Sequence, residues 1–127
     1  MIVKLDWPNK ALAPNRSNGR HWGGLAAIKS QAKGDAYVLA KNAAKGRKFD
    51  ADKDYAVSII FVMPDNRHRD CDGMLSSLKS SLDGIAQAIG VDDRHFKPIL
   101  VDWQHGTKPG AVILAIGCEI RSGANLE

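Results

Sequence analysis

The chain has 127 residues, of which 44% are hydrophobic and 25% are charged, and its formal net charge is +4. These values are typical of one globular domain over residues 1–127 and exclude a disordered or fibrous protein. No run of about 18 apolar residues is present, so we expect no membrane-spanning helix. The first ten residues lack the apolar stretch of a secretory signal, so we expect a cytoplasmic protein.

Charge is distributed unevenly between the two parts of the chain. Residues 1–48 contain ten Lys and Arg against two Asp, a net charge of +8, whereas residues 49–127 carry a net charge of −4. This asymmetry favours one surface that attracts a polyanion and another that gathers carboxylates. An ordinary solvated helix face rich in lysine explains the basic part equally well.

The N-terminal third of the chain predicts a strand, a loop and a long helix. Apolar residues alternate with charged ones over residues 3–7, which is the period of a half-buried strand. Residues 11–24 contain glycines, a proline and basic side chains, so they predict a loop. Apolar residues three or four apart then predict a helix over Trp22–Ala44, in which Gly34 is a possible break.

The middle of the chain predicts a buried strand and a second helix. Residues 55–63 are β-branched and almost continuously apolar, which predicts a central strand covered on both faces, ended by Pro64. The second helix follows Asp72, and Gly90 is well placed to end it.

The C-terminal third predicts two more strands, over residues 97–103 and 111–118. The turn-rich residues 104–110 between them favour a hairpin. The element order is therefore β-α-β-α-β-β, and the expected fold is α+β, a mixed sheet with two main helices.

Aspartates around the second helix are the main candidates for chemistry. Asp70 and Asp72 lie two apart in an extended segment, so their carboxylates point the same way. Asp92 and Asp93 follow the other end of a helix about 27 Å long, so Asp93 reaches the first pair only if the helix begins later or the chain doubles back. Carboxylates that hold Mg²⁺ would suit phosphodiester hydrolysis.

Basic side chains accompany these acids. Arg67, His68 and Arg69 directly precede Asp70 and are candidates for gripping phosphates that flank the reacting one. Lys79 could neutralise developing charge, and Asp83, four positions later, could orient it.

Each motif also has a structural interpretation. Asp72 could be a helix N-cap, and Lys79 with Asp83 could be an ordinary surface pair. Asp92 and Asp93 could form a helix-end turn. A DxD pattern alone does not decide among these interpretations.

The ordered set MPDNRHRDCDG, LKSSLDGI and DD resembles the RusA-type Holliday junction resolvases, including phage-borne relatives. That family has D-x-D-N after a strand, a lysine and D-G/A-L on the next helix, and a closing D-D. The matching positions here are Asp70, Asp72, Lys79, Asp83, Asp92 and Asp93.

The resemblance implies an intertwined homodimer that cuts four-way DNA junctions with Mg²⁺ or Mn²⁺, in a bacterial or phage-infected cytoplasm. It implies Asp70, Asp72 and Asp93 as metal ligands with Asp92 beside them, and Lys79 as the catalytic lysine. This sequence departs from the family at Gly73, where Asn is usual. The loss of that amide is expected to weaken the positioning of metal or DNA.

The N-terminal loop also resembles the basic loop of that family. We therefore expect Arg16, Arg20, Lys29 and Lys33 to contact DNA, although solvated surface is a strong alternative for the two helical lysines. The main functional alternative is a branched-DNA-binding module that keeps the fold but does not cut. A DxD-type sugar or phosphate transferase fits less well, because the chain is short and has no phosphate-cradling glycine loop.

Overall fold

A computed structural model describes residues 1–13 and 22–117, with side chains from residue 24 onward in the second range. These residues form an α+β fold with a four-stranded mixed sheet and three helices. Within the described ranges, no helix is long and apolar enough to cross a membrane. The main elements are β1 (Ile2–Asp6), α1 (Trp22–Ala44), β2 (Tyr55–Met63), α2 (Cys71–Ser77), α3 (Lys79–Ile89), β3 (Phe96–His105) and β4 (Ala111–Ile116).

The predictions of β1, α1 and β2 are confirmed, whereas the predicted loop over residues 11–24 lies mostly outside the described residues. β1 alternates between exposed and buried residues, and β2 covers the predicted range 55–63. The helix α1 has the predicted bounds and continues through Gly34, whose backbone is exposed and has open space around it. Because Gly34 lies in solvent, it weakens the helix without interrupting its backbone hydrogen bonds.

The strand β2 lies inside the sheet, as its continuous apolar run predicted. The strand order is β1-β4-β2-β3, and residues 57–61 are all buried. β2 pairs in parallel with β3 and antiparallel with β4, which also pairs antiparallel with β1. One face of this sheet carries the core against α1 and α3, including the inward residues Val3, Leu5, Val57, Ile59, Phe61, Val112, Leu114 and Ile116.

The predicted hairpin between the last two strands is wrong. β3 and β4 both pair with β2, on its two opposite sides, and not with each other. The connecting residues 106–110 pass over the end of β2, where Gly110 lies against the Val62 carbonyl and Pro64. The glycines that suggested a tight turn serve here to let the connection cross a neighbouring strand closely.

The second predicted helix is divided at one residue. α2 ends and α3 begins at Leu78, whose N–H bonds to the Leu75 carbonyl in the tighter i, i+3 pattern. Leu78 is buried, so its side chain anchors the junction between the two helices. Gly90 ends α3 in a left-handed conformation, as expected for a helix C-terminus.

Candidate active site

Asp70 and Asp72 lie at the N-terminus of α2, directly after the sheet. Asp70 is the N-cap residue, and its Oδ2 accepts a hydrogen bond from the Gly73 N–H at 3.3 Å. Asp72 lies in the first turn, and both side chains are exposed. The capping role considered for Asp72 therefore belongs to Asp70, and both carboxylates lie near the positive end of a helix dipole.

Asp83 follows Asp72 along one flank of the divided helix. The two residues are eleven positions apart, which corresponds to about 16 Å of helix. Lys79 lies between them as the first residue of α3 and is exposed. No ion pair joins Lys79 to Asp83 among the described residues. The prediction that Asp83 orients this lysine stays a prediction.

The chain doubles back after α3 and carries Asp93 to the middle of that flank. Val91 is buried and its N–H bonds to the Ala86 carbonyl, which turns the chain sharply. A short 3₁₀ turn, Asp93–His95, follows, and Asp92 caps it by accepting from the Arg94 N–H at 3.0 Å. The helix-end turn considered for these aspartates is thus present, and it also brings Asp93 to Asp83.

Asp83 interacts with Asp93 through a side-chain hydrogen bond, which is the largest cause of the shift in the pKa of Asp93. The pKa of Asp93 is raised above its usual value, first by this hydrogen bond, then by desolvation and by the adjacent Asp92. The pKa of Asp92 is lowered, chiefly because its carboxylate accepts the Arg94 N–H. Negative charge is therefore concentrated at Asp83 and Asp93, where a cation would relieve the repulsion.

A cleft of about 270 Å³ opens beside these acids. Lys79 and Asp93 line it together, so a basic and an acidic side chain face the same space. The remaining lining residues are Leu75, Ser76, Leu82, Phe96 and Ile99. Its apolar walls lower the local polarity, which strengthens the interaction of both charged groups with a bound anion or cation.

Among the described residues, no hydrogen bond or ion pair joins Asp70 or Asp72 to Asp83 or Asp93. Across residues 1–13 and 22–117, no three His, Cys, Asp or Glu side chains converge closely enough to hold a metal ion. Mg²⁺ commonly takes only one or two carboxylates and keeps several waters. The Asp83–Asp93 pair fits that requirement, while a single ion shared by Asp70, Asp72 and Asp93 stays a prediction.

The basic segment before Asp70 is held by Asp65. Arg69 Nη1 lies 2.9 Å from Asp65 Oδ1, and the guanidinium also stacks over the Trp7 ring at 5.0 Å. The Arg69 hydrogen bond, followed by that of the Arg67 N–H, lowers the pKa of Asp65 to about 2. Arg69 therefore anchors the segment. The Arg67 side chain also pairs with Asp65, with Nη2 3.4 Å from Oδ2, but it is 78% exposed, and His68 is exposed as well.

The remaining predicted DNA contacts lie on or before α1. Lys29 and Lys33 are exposed on that helix. Arg16 and Arg20 lie outside the described residues.

Sequence reasoning missed three residues that shape the site. Asp65 could have been found, because it precedes Arg69 by four positions in a short connection. The contact of Trp7 with Arg69 joins distant parts of the chain and leaves no local signal. The same holds for Asp54, whose partner His95 is 41 positions away.

Comparison with known proteins shows similarity to an uncharacterized bacterial protein. An uncharacterized protein of Xylella fastidiosa (strain Temecula1 / ATCC 700964) is 37% identical to this chain over 103 residues. The matched region is 79% of this chain and 66% of that protein, so the chain spans somewhat less than two thirds of its relative. No protein-family model matches the chain.

Proposed function

We propose that this protein is a Mg²⁺-dependent endodeoxyribonuclease that cuts branched DNA, with four-way junctions as the leading substrate. The observation that carries the proposal is the return of Asp93 to the flank of α3, against Asp83 and beside Lys79. These three residues are separated in the sequence but share one small region of the surface. Carboxylates that can hold a metal ion, next to a lysine, are groups that suit the hydrolysis of a phosphodiester.

The charge pattern of the cleft matches this reaction. Asp83 and Asp93 would hold the metal ion, which when bound supplies positive charge and an acidified water. The exposed ammonium of Lys79 lies in the same cleft and would oppose the negative charge that develops on the phosphate or the leaving oxygen. Asp70 and Asp72, at the N-terminus of α2, would complete the metal-binding set where DNA or a second subunit brings the two groups together.

Branched DNA is proposed as the substrate because of the ordered motif resemblance to RusA-type resolvases. A two-fold homodimer would present two such clefts to symmetric strands of a junction. The exposed side chains of Arg67, Lys29 and Lys33 support a polyanionic partner, since phosphate contacts of this kind position DNA without reading its sequence.

A DNA-binding module without cleavage activity is the second candidate. It is favoured by Gly73, which stands where the RusA-type family usually has asparagine, and by the finding that no three metal-binding side chains converge within the described residues. In that case the fold would hold branched DNA while the metal-binding set stayed incomplete.

Cleavage of a synthetic four-way junction decides between the two candidates. The wild-type protein, Asp93→Asn and Asp72→Asn are each incubated with labelled junction, with Mg²⁺ and with EDTA, and binding is measured in parallel. We expect Mg²⁺-dependent symmetric cuts by the wild type and none by either variant, with binding retained by all three proteins.

Other outcomes separate the candidates clearly. Binding without cleavage by the wild type, in Mg²⁺ and in Mn²⁺, would establish the module and reject the nuclease. Cleavage by Asp93→Asn at the wild-type rate would reject the cleft as the active site. A linear duplex of the same sequence is the control for branch specificity.

A further inference from the structure

The turn that carries Asp92 and Asp93 is tied to a distant loop by one hydrogen bond. His95 Nδ1 lies 2.9 Å from Asp54 Oδ1, and the His95 side chain is only 18% exposed. A carboxylate can only accept, so the imidazole Nδ1–H donates. Asp54 directly precedes β2, so this bond joins two segments that enter the sheet side by side.

We propose that His95 and Asp54 are positioning residues for the acidic site, holding the Asp93–His95 turn so that the Asp93 carboxylate faces Asp83. This inference rests on the proposed function, because it assigns the pair a role in metal binding. Neither residue lines the cleft with Lys79 and Asp93, so the pair acts through the backbone of the turn and not on substrate.

Contacts within the turn and at its C-terminal end also restrain it. Within the turn, the His95 N–H bonds to the Asp92 carbonyl at 2.9 Å, and the Arg94 N–H bonds to the Asp92 side chain. Phe96, the next residue, is buried and begins β3, which fixes one end. The His95–Asp54 bond ties the turn to the loop that precedes β2.

The turn must be held in place because the carboxylates of Asp93 and Asp83 repel each other. Two carboxylates that face each other without a cation favour a movement of the turn away from α3. A restraint on His95, two residues beyond Asp93, limits that movement and keeps the pair ready for a cation. Outer residues that orient metal ligands typically contribute 10- to 100-fold in metal affinity.

The loop that carries Asp54 is itself anchored. The Tyr55 hydroxyl accepts a hydrogen bond from the Asp50 N–H at 2.7 Å, closing the loop against the start of β2. Lys97 also approaches Asp54, but at 3.9 Å and with a side chain that is 64% exposed, so it restrains the carboxylate weakly. The Asp54 carboxylate is therefore the contact that the loop offers to the turn, and the His95 imidazole is its principal partner.

Binding of Mn²⁺ to the protein without DNA tests the proposal, measured by electron paramagnetic resonance. The variants are His95→Ala, Asp54→Ala, the double variant, and His95→Asn, whose amide nitrogen takes the place of Nδ1. Asp52→Ala is the matched control, since it removes an exposed carboxyl from the same loop. Asp93→Asn marks the loss of the metal site.

We expect His95→Ala and Asp54→Ala each to weaken Mn²⁺ binding about tenfold or more, with no further loss in the double variant. His95→Asn and Asp52→Ala should stay close to wild type. At saturating Mn²⁺ the cleavage rate of His95→Ala should recover toward the wild-type value. In metal-free protein, the amide hydrogens of residues 94 and 95 should exchange faster in both alanine variants.

Two different results would overturn the proposal: one rejects only the positioning role, and the other also rejects the metal site. Unchanged Mn²⁺ affinity in His95→Ala and Asp54→Ala, with loss in Asp93→Asn, would reject the positioning role and leave the proposed metal site intact. Absence of Mn²⁺ binding by the wild type would reject the metal site itself, and the positioning role with it.

Discussion

The backbone carbonyl of Lys33 lies directly against the α-carbon of Gly84, where α1 crosses α3. A Cβ on Gly84 would overlap that carbonyl, which belongs to a helix backbone and cannot rotate away. We therefore expect Gly84→Ala to force the two helices apart and to destabilise the protein by about 1–3 kcal/mol, as overpacking does. Urea unfolding followed by circular dichroism measures the change.

Gly34→Ala is the matched control for this prediction. Gly34 lies next to Lys33 on α1, but nothing is within 4 Å of the position its Cβ would take. Alanine there should stabilise the protein by about 0.5–1 kcal/mol, because it favours the helix without a clash. Equal effects of the two substitutions would show that the helices do not cross at Gly84.

Neutralising one carboxylate of the acidic pair should stabilise the metal-free protein. The raised pKa of Asp93 reports that its ionised form is disfavoured next to Asp83. Asp93→Asn removes this repulsion, and since both groups are partly or fully exposed the gain should stay below about 1 kcal/mol. Thermal unfolding in EDTA should show a higher Tm for the variant than for the wild type.

In the presence of Mg²⁺, the wild type should have a higher Tm than Asp93→Asn. The wild type would gain stability by binding the ion, whereas Asp93→Asn would gain little. Asp52→Asn, which removes an exposed carboxyl outside the pair, should change neither measurement. A lower Tm for Asp93→Asn in EDTA would contradict the assignment of a repulsive pair.

Local patterns in the sequence predict most elements of the fold but not their pairing. The apolar run of β2 and the helical spacing of α1 depend on neighbours within a few residues, so both are predicted with correct bounds. The position of β2 between β3 and β4 depends on contacts across the whole sheet. The glycines between β3 and β4 therefore suggest a hairpin turn in the sequence, whereas in the structure they allow the connection to pass closely over the end of β2.

The site is predictable to a similar extent. The sequence alone predicts the spacing of Asp70, Asp72, Lys79 and Asp83. The length of the predicted helix, however, indicates that Asp93 lies too far from Asp70 and Asp72 to share a site. The contact of Asp93 with Asp83 requires the reversal after Gly90, which is set by the packing of Val91 in the core. Residue spacing carries no information about the direction that the chain takes after such a reversal.

The ion pair of Asp65 should contribute stability that depends on pH. The fold lowers the pKa of Asp65 from 3.8 to about 2, so the folded protein binds this proton less readily than the unfolded chain does. The stabilising contribution is therefore complete above about pH 4 and is lost as the pH falls through about 2. Asp65→Asn should accordingly be less stable than the wild type at pH 7, with the difference vanishing toward pH 2.

Arg69→Met tests whether the contact with Arg69 causes the lowered pKa of Asp65. Arg69 contacts both Asp65 and the Trp7 ring, so the methionine keeps an apolar contact with Trp7 and loses the charge. The pH-dependent effect of Asp65→Asn on stability should largely disappear when the substitution is made in a protein that already carries Arg69→Met. Its persistence at full size would assign the pKa shift to the backbone N–H and the charge of Arg67 instead.

Gly73→Asn should be accepted by the fold and should increase cleavage under the proposed function. A Cβ at this position would meet only Asp70, at 3.6 Å from Oδ2 and 3.9 Å from Cβ, which is ordinary van der Waals contact. The amide would lie beside Asp70 and Asp72, where it could bond a carboxylate or a DNA phosphate. Junction cleavage rates of the wild type, Gly73→Asn and Gly73→Ala measure the effect.

The alanine variant separates the amide from the backbone effect of removing glycine. Both substitutions should stabilise α2 slightly, since glycine is a poor helix former. Only asparagine should raise the cleavage rate. An equal increase in both variants would attribute the gain to helix stability, and no increase in either would show that Gly73 does not limit the reaction.

Replacing Arg16 and Arg20 with alanine should weaken junction binding and reduce its dependence on salt. Each phosphate that a basic side chain neutralises adds about 0.9 to the slope of log affinity against log salt concentration. Loss of both contacts should therefore lower the slope by about 2 and reduce affinity most at low salt. Lys45→Ala with Lys48→Ala is the control, because it removes two exposed charges at the other end of α1. An unchanged slope in the arginine variant, or an equal decrease in the lysine variant, would assign the effect to net charge and not to a contact made by the N-terminal loop.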